Sequence, residues 1–147
     1  MDEISSFLGR KFGGLPKLAL LYSTSQITTC LTEFTSNAAT ASLLLPILFS
    51  LSSELKLHPF LLTLPATVGA SFAFSLPAAT APNSIVFSNG RVKVLHMLKT
   101  GIPLNIIGNL VTFVAMVTYA RPLFKLDSVP TWAINATMSR PLLSQSI

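Results

Sequence analysis

The placement of charged residues most constrains the fold of this sequence, because three long stretches almost lack them. Residues 18–53 carry a single charge, Glu33, residues 57–90 carry only His58 as a titratable group, and residues 100–120 carry no charge. Half of the residues are apolar and 10% are charged, whereas about 25% are charged in a soluble domain. The sequence therefore predicts an all-α, multi-pass membrane protein.

Several other classes of protein are excluded by the same inventory. The 10 basic and 5 acidic residues are scattered, whereas a nucleic-acid surface needs clustered Lys and Arg. Cys30 is the sole cysteine, so neither a disulfide framework nor a zinc cluster is expected. His58 and His96 lie at predicted membrane edges, and no Ser-His-acid order or phosphate-binding glycine loop is present. We expect neither an enzyme nor a bound cofactor.

The first and third neutral stretches predict different membrane segments. About 20 apolar residues in a helix cross the hydrocarbon core of a bilayer, so residues 101–120 fit one final transmembrane helix. The first stretch is too long for one crossing and is polar in its middle, at residues 32–37. We therefore predict a re-entrant helical hairpin over residues 17–53, with its polar tip at membrane depth.

The second neutral stretch predicts a discontinuous transmembrane helix over residues 60–89. Pro77 and Pro82 enclose small residues, and proline lacks a backbone donor and clashes with the preceding helical turn. Two breaks in neighbouring membrane segments are typical of a transporter binding site. The alternative, which stays open, is a pair of ordinary proline kinks with polar residues that hold helices together.

Four further segments connect or flank these elements: an interfacial lead-in (1–16), a loop (54–59), a basic cytoplasmic connector (90–100) and an extracellular tail (121–147). The tail contains an acceptor sequon for N-glycosylation at Asn135. With the tail outside, the basic connector faces the cytoplasm, in agreement with the positive-inside rule. Other basic residues then lie outside, so charge does not settle the orientation.

Ser36 and Asn37, at the polar tip, are candidates for ligand binding. Hydroxyl and amide groups at a helix N-terminus donate to an anion, and the helix dipole reinforces them. The carbonyl oxygen of an asparagine and the carbonyls of an unwound helix bind a hard cation such as Na⁺. The second break offers the same groups around Ala79 and Thr80. The alternative is that Ser36 and Asn37 only cap the second arm of the hairpin.

Glu33 lies beside this tip, and an ionisable residue inside a membrane segment indicates function by default. Three roles are open: it lines a cation path, it holds the hairpin through hydrogen bonds, or it pairs with a base outside this chain. We favour a supporting role over direct coordination.

Two polar stripes recur at helical spacing, and we interpret most of their residues as packing surface between helices. The first contains Ser25, Thr28 or Thr29, Thr32 and Ser36, and the second contains Asn105, Gly108, Asn109 and Thr112.

Two longer motifs resemble the divalent anion–sodium symporters, which include animal sodium–dicarboxylate, sodium–citrate and sodium–sulfate cotransporters. The run TEFTSNAAT at residues 32–40 resembles the second Ser-Asn motif of that family, and SFAFSLPAATAPNSIVF at residues 71–87 resembles its long signature. The animal members are also similar at KTG (99–101), NIIG (105–108), LD (126–127) and WA (132–133).

The resemblance implies a fold of two inverted repeats, each with a re-entrant hairpin and a broken helix. This chain resembles the last part of the second repeat and hence the C-terminal portion of a sodium-coupled symporter for di/tricarboxylates of the succinate or citrate class. The resemblance also implies Na⁺ as coupling ion, a plasma-membrane location and a homodimer of the full-length transporter. Three alternatives stay open: a sulfate-type sodium symporter, a proton-coupled or exchange-type relative, and a truncated, non-transporting fragment.

The same resemblance assigns roles to individual residues. Substrate binding is expected at Ser36, Asn37, Ala38, Thr80 and Ala81. Sodium binding, partly through backbone carbonyls, is expected at Thr32, Thr35, Asn37 and Ala79. Supporting roles are expected at Glu33, Pro77, Pro82 and Asn83. Ala38 stands where bacterial members carry threonine, and Ala81-Pro82-Asn83 stands where the family usually has Pro-Pro-Asn. Both departures bear on substrate choice.

Overall fold

The computed structural model describes Gly14, residues 16–131 and Ala133. These residues form helices and, within the described part of the chain, no strands, which confirms the helical fold class. The helices are α1 (Lys17–Thr32), α2 (Asn37–Glu54), α3 (Pro59–Gly69), α4 (Ala81–Ser88) and α5 (Val94–Ala115). A π-helical segment, Met116–Ala120, continues α5 into a last turn, α6 (Arg121–Leu123).

The core lies where α3 packs against both α1 and α2. Leucines from all three helices fill it, and Leu62 of α3 is fully buried. Burying such a side chain contributes about 1.5–3 kcal/mol. α1 and α3 approach so closely that a Cβ atom on Gly69 would lie 2.9 Å from the Ser25 carbonyl oxygen. A stripe of small and hydroxylated residues is what permits this approach between helices.

One helix in the described part of the chain is long and apolar enough to cross a bilayer. It runs from Val94 to Leu123, over 30 residues, and its most apolar 18-residue window has a mean hydropathy of 1.6. We predicted its start at residue 101, but α5 begins at Val94 and therefore includes part of the predicted basic connector. Leucine, methionine and lysine, which are favourable in helices, occupy this first part of α5.

The break in the second neutral stretch lies earlier than the prolines indicate. α3 ends at Gly69, residues 70–80 are irregular, and α4 begins at Ala81. The two prolines predicted a break that Pro77 begins and Pro82 ends, and this is wrong at both sides: the helix ends before Pro77, and Pro82 does not break one. Pro82 lies in the first turn of α4, where its missing N–H would have had no helical partner, so proline starts this helix rather than ending one.

The residues predicted as a hairpin form α1 and α2, which are joined by residues 33–36. Apart from Gly14 and Pro16, the predicted lead-in lies outside the described residues. The Asn135 sequon also lies outside them.

Candidate functional site

The turn between α1 and α2 is held by its own hydroxyl groups. Ser36 is the N-cap of α2, where its Oγ accepts a hydrogen bond from the Ala39 N–H over 3.2 Å. The Thr35 hydroxyl donates to the Leu31 carbonyl oxygen over 3.3 Å and contacts the Thr40 hydroxyl. The N-terminus of α2 is thereby fixed next to the last turn of α1. The capping role of Ser36 was one of the two interpretations of the sequence, and it does not exclude the other, ligand binding.

Three oxygens converge where α1 ends. The Thr32 hydroxyl, which is fully buried, lies 2.8 Å from Asn37 Oδ1 and 2.8 Å from the Ala70 carbonyl oxygen. Asn37 is the first residue of α2 and Ala70 follows the last residue of α3. Because a hydroxyl has one proton, it donates to only one of these two acceptors at a time. The cluster therefore contains oxygens from the turn and from the break, and at any time one of the two acceptors lacks a proton from Thr32.

Glu33 joins the same turn to the irregular segment after α3. Its carboxylate, 6% exposed, accepts hydrogen bonds from the Ser75 N–H over 2.9 Å to Oε1 and from the Leu76 N–H over 3.0 Å to Oε2. Carboxylates form the stronger, charge-assisted kind of hydrogen bond. These two amides lie in the break, where no helical carbonyl oxygen is available to them. The carboxylate of Glu33 takes the place of those acceptors.

Asn105 of α5 completes this arrangement. Its Nδ2 donates to Glu33 Oε1 over 2.6 Å and lies 3.1 Å from Ser75 Oγ. Asn105 Oδ1 is buried and accepts no hydrogen bond from the described residues. Close approach of α5 to the break is possible because residue 101 is glycine: a Cβ atom there would lie 2.5 Å from the Phe74 carbonyl oxygen.

Side chains in the first turn of α4 donate hydrogen bonds to carbonyl oxygens of the break. Asn83 Nδ2 donates to the carbonyl oxygens of Ala73 over 2.7 Å and Leu76 over 3.0 Å. The Ser84 hydroxyl donates to the Pro77 carbonyl oxygen over 2.6 Å. The irregular segment is thus held at one side by Glu33 and at the other by the first turn of α4.

A second polar cluster ties α1 to α3 and α5. The Ser25 hydroxyl contacts Asn109 Oδ1 and lies 3.1 Å from the Pro65 carbonyl oxygen. The Thr29 hydroxyl donates to the Gly69 carbonyl oxygen over 3.0 Å and also accepts from Asn109 Nδ2 over 3.0 Å. The Ser25–Thr29 face of α1 therefore makes hydrogen bonds between helices, in addition to forming packing surface.

Among the described residues, Glu33 is a buried carboxylate without an ion pair. Their one ion pair joins Arg121 to Asp127 at 2.7 Å, and hydrogen bonds from Arg121 hold the pKa of Asp127 below its ordinary value. Both side chains are exposed, so this pair contributes little to stability. Glu33 is instead surrounded by N–H donors, and no Lys, Arg or His in the described part of the chain forms a salt bridge with it.

Comparison with known proteins identifies the family. Residues 4–126 match the family model for the transmembrane region of sodium:sulfate symporters. The chain belongs to the sodium:sulfate symporter family. Among its relatives, solute carrier family 13 member 1 of Mus musculus is 42% identical over 138 residues, which are 92% of this chain and 23% of the mouse protein.

Two other relatives give the same result. Solute carrier family 13 member 2 of Homo sapiens is 44% identical over 144 residues, or 96% of this chain and 24% of the human protein. The human Na(+)/dicarboxylate cotransporter 3 is 44% identical over 133 residues, or 88% of this chain and 22% of that protein. The chain therefore spans about a quarter of the length of these relatives.

The structure brings together some of the predicted site residues of this symporter family member. Thr32 contacts Asn37, and Ser36 and Ala38 lie at the start of α2. Ala79 is buried in the break, and its N–H donates to the Leu76 carbonyl oxygen over 3.3 Å. Thr80 is the N-cap of α4, without a side-chain capping bond, and Ala81 is the first residue of that helix.

The two halves of the predicted site meet only indirectly. Within the described residues, no hydrogen bond links Ser36, Asn37 or Ala38 to Thr80 or Ala81. The connection runs from Thr32 to Ala70 and from Glu33 to Ser75 and Leu76.

Sequence reasoning assigned no individual role to three members of this network: Ser75, Asn105 and Asn109. Both asparagines were interpreted as part of a packing stripe. The available signal was two amide side chains one helical turn apart in a stretch without charges, since polar residues in membrane helices usually find interhelical partners.

Proposed function

We propose that this chain is the C-terminal portion of a sodium-coupled symporter for di/tricarboxylates of the succinate or citrate class. Family membership supports sodium-coupled anion transport as the general activity, and a relative named as a Na(+)/dicarboxylate cotransporter supports the substrate class. No cofactor is needed beyond the coupling ion. The activity, substrate and partners of the whole protein are part of this proposal, because the chain spans about a quarter of its relatives.

The observation that carries the sodium part is the oxygen cluster at Thr32. Small hard cations prefer oxygen ligands, and unwound segments of membrane helices supply them as carbonyls. Asn37 Oδ1 and the Ala70 carbonyl oxygen each lie 2.8 Å from Thr32 Oγ1. A sodium ion bound by Thr32, Thr35, Asn37 and Ala79 would take two of its ligands from this cluster and would satisfy its excess of acceptors.

The anion part rests on the N-termini of α2 and α4. Both point backbone N–H groups and a positive dipole end at their preceding turns. Ser36, Asn37 and Ala38 would bind one substrate carboxylate, and Thr80 and Ala81 would line the substrate at the second break. Sodium at the turn between α1 and α2 would order it and add positive potential, so sodium binding would raise anion affinity.

For transport, α1 and α2 would form a re-entrant hairpin within the second of two inverted repeats, and this hairpin would move with the broken helix. Glu33 and Asn83 would act as supporting residues, as would Pro77, while Pro82 would start α4. We further propose plasma-membrane location, a homodimer of the full-length transporter and glycosylation at Asn135 on an extracellular tail.

A sulfate-type sodium symporter is the second candidate, because the matching family model is described by sodium and sulfate. Ala38, which stands where bacterial members carry threonine and animal members vary, and Ala81, which stands where the family usually has proline, are the positions where the two substrate classes would be distinguished. The alternative of a truncated fragment that does not transport is tested by the reconstitution that follows.

Reconstitution tests these candidates directly. The 147-residue chain would be placed in liposomes, and uptake of labelled succinate, citrate and sulfate would be measured with an inward sodium gradient. Choline replaces sodium in the control and separates a proton-coupled or exchange-type relative. Sodium-driven transport by the chain alone would refute the fragment hypothesis.

A cotransporter chimera tests the site when the chain alone does not transport. In this cotransporter chimera, the chain replaces the matching segment of human Na(+)/dicarboxylate cotransporter 3. Sodium-dependent succinate uptake at normal surface expression is expected. A chimera that reaches the surface and takes up no anion would contradict the proposed function, and one that prefers sulfate would favour the second candidate.

A further inference from the structure

We infer that Glu33 and Asn105 are positioning residues that couple the turn between α1 and α2 to the break in the following membrane segment. They would transmit sodium binding at the turn to the substrate side of the break. This inference rests on the proposed function, but it concerns residues that bind neither ion nor anion.

The first support is the position of Glu33 in the chain. It directly follows Thr32, whose hydroxyl joins Asn37 to Ala70. A shift of this turn that reorients Thr32 must also move the Glu33 carboxylate, because the two residues share a peptide bond. The carboxylate in turn holds the amides of Ser75 and Leu76.

The second support is what lies after these amides. Leu76 accepts from the Ala79 N–H over 3.3 Å and from Asn83 Nδ2 over 3.0 Å. The residue that Glu33 holds is therefore bonded directly to the segment that leads into α4. Leu76 is therefore the one residue between Glu33 and Ala79 in this series of hydrogen bonds, so a movement of Glu33 would be transmitted to Ala79 through it.

The third support is the fixed position of Asn105. Its Nδ2 lies 2.6 Å from Glu33 Oε1 and 3.1 Å from Ser75 Oγ, and its side chain is 8% exposed. It thus contacts both the turn and the break from a third helix. Gly101, one turn earlier in α5, brings the backbone of the break close enough for this contact. Asn105 therefore sets the separation at which turn and break are coupled.

A swap of the two polar groups tests the inference. In Glu33→Gln, a glutamine oxygen at the Oε2 position still accepts from the Ser75 and Leu76 amides, but the NH₂ at the Oε1 position faces the NH₂ of Asn105. In Asn105→Asp, two carboxylates face one another. In the double variant Glu33→Gln/Asn105→Asp, the glutamine NH₂ donates to the new carboxylate, so the hydrogen bond between residues 33 and 105 is restored with its direction reversed.

The functional readout is the sodium concentration for half-maximal succinate uptake by the cotransporter chimera, normalised to surface expression. We expect each single variant to raise it about tenfold or more and the double variant to return to within about threefold of the parent, since residues in one network are not additive. Glu54→Gln, which removes an exposed carboxylate at the end of α2, is the matched control and is expected to leave the value unchanged. Additive effects, or single variants that behave as the parent, would overturn the inference.

Hydrogen exchange of the 147-residue chain in detergent gives a readout that does not need transport. Sodium, but not choline, is expected to slow exchange at the Ser75 and Leu76 amides in the parent chain and to have no such effect in Glu33→Ala, which removes the acceptor of both amides. A parent chain whose amides do not respond to sodium would refute the coupling. Failure of the proposed function alone would differ: the amides would respond, while the unaltered cotransporter chimera would take up no anion.

Discussion

The Thr32 hydroxyl lies 2.8 Å from Asn37 Oδ1, and this contact joins the buried end of α1 to the first residue of α2. The two residues are five positions apart, with a turn between them that carries Glu33 and Ser36. The same hydroxyl also reaches the Ala70 carbonyl oxygen. The first position of α2 is consequently held by a contact to α1 as well as by its capping residue, and the same threonine links both helices to the residue that follows α3.

Thr32→Val is expected to weaken sodium activation of the cotransporter chimera. Valine keeps the shape of threonine but removes the hydroxyl, so one oxygen of the cluster is lost and Asn37 Oδ1 is no longer held. We expect the sodium concentration for half-maximal uptake to rise about tenfold, which corresponds to about 1.4 kcal/mol. The measurement is succinate uptake as a function of sodium concentration.

Thr28→Val is the matched control for this variant. Thr28 is equally buried on α1, but among the described residues its hydroxyl donates only to the Thr24 carbonyl oxygen of its own helix. Its sodium dependence should stay that of the parent. Equal shifts in both variants would show that helix packing, and not the oxygen cluster, determines the response.

Asn37→Ala is expected to abolish sodium-dependent uptake at normal surface expression. The substitution removes Oδ1 from the Thr32 cluster and an amide donor from the N-terminus of α2. Alanine is a good helix former, and Ser36 continues to cap α2, so the helix itself should persist. Surface biotinylation together with labelled succinate uptake is the measurement, and Asn89→Ala, at the C-cap of α4, is the control. Unchanged uptake in Asn37→Ala would remove Asn37 from the site.

The sequence was sufficient for the features that depend on local composition. Stretches without charges predicted helical membrane segments, and a polar interruption predicted the turn that Ser36 occupies. Both follow from the cost of placing polar backbone and side chains in hydrocarbon. The position of the second break was predicted less well, because proline both ends helices and starts them, and Pro82 does the latter.

The partners of Glu33 could not be predicted from the sequence. Asn105 lies 72 positions further along the chain, and nothing in a single sequence shows which of several helices will face a carboxylate. Backbone amides such as those of Ser75 and Leu76 have no sequence signal at all, since every residue except proline carries one. These contacts depend on how α5 and the break pack, and the glycines of α5, Gly101 and Gly108, are the local indication of a close approach.

His58 is expected to make the stability of the chain depend on pH. Its Nδ1 accepts from the Phe60 N–H at the start of α3 over 3.2 Å, and burial lowers the pKa of the imidazole from 6.5. The unfolded chain therefore binds a proton more readily than the folded one, so stability is present above pH 6.5 and is lost as the pH falls below it. Protonation of Nδ1 also removes the capping acceptor.

The measurement is the midpoint of thermal unfolding of the chain in detergent between about pH 5 and pH 7.5. His58→Asn should unfold at nearly the same temperature across this range, because asparagine caps a helix N-terminus without titrating. His96→Asn changes an exposed histidine and should keep the pH dependence of the parent. If His58→Asn retains that dependence, another group is responsible for it.

Gly101→Ala is expected to destabilise the chain more than Gly108→Ala, although both glycines lie in α5. A Cβ atom on Gly101 would lie 2.5 Å from the Phe74 carbonyl oxygen and the Ser75 Cα atom, which are backbone atoms of the break. On Gly108 it would meet the Phe72 ring at 3.1 Å, and a ring can rotate away. Both substitutions gain the same helix propensity, about 1 kcal/mol, so their difference isolates the contact. We expect Gly101→Ala to lower the free energy of unfolding by about 1–3 kcal/mol and Gly108→Ala to change it little. Denaturant unfolding in detergent measures both, and equal effects would mean that the break is not held against α5.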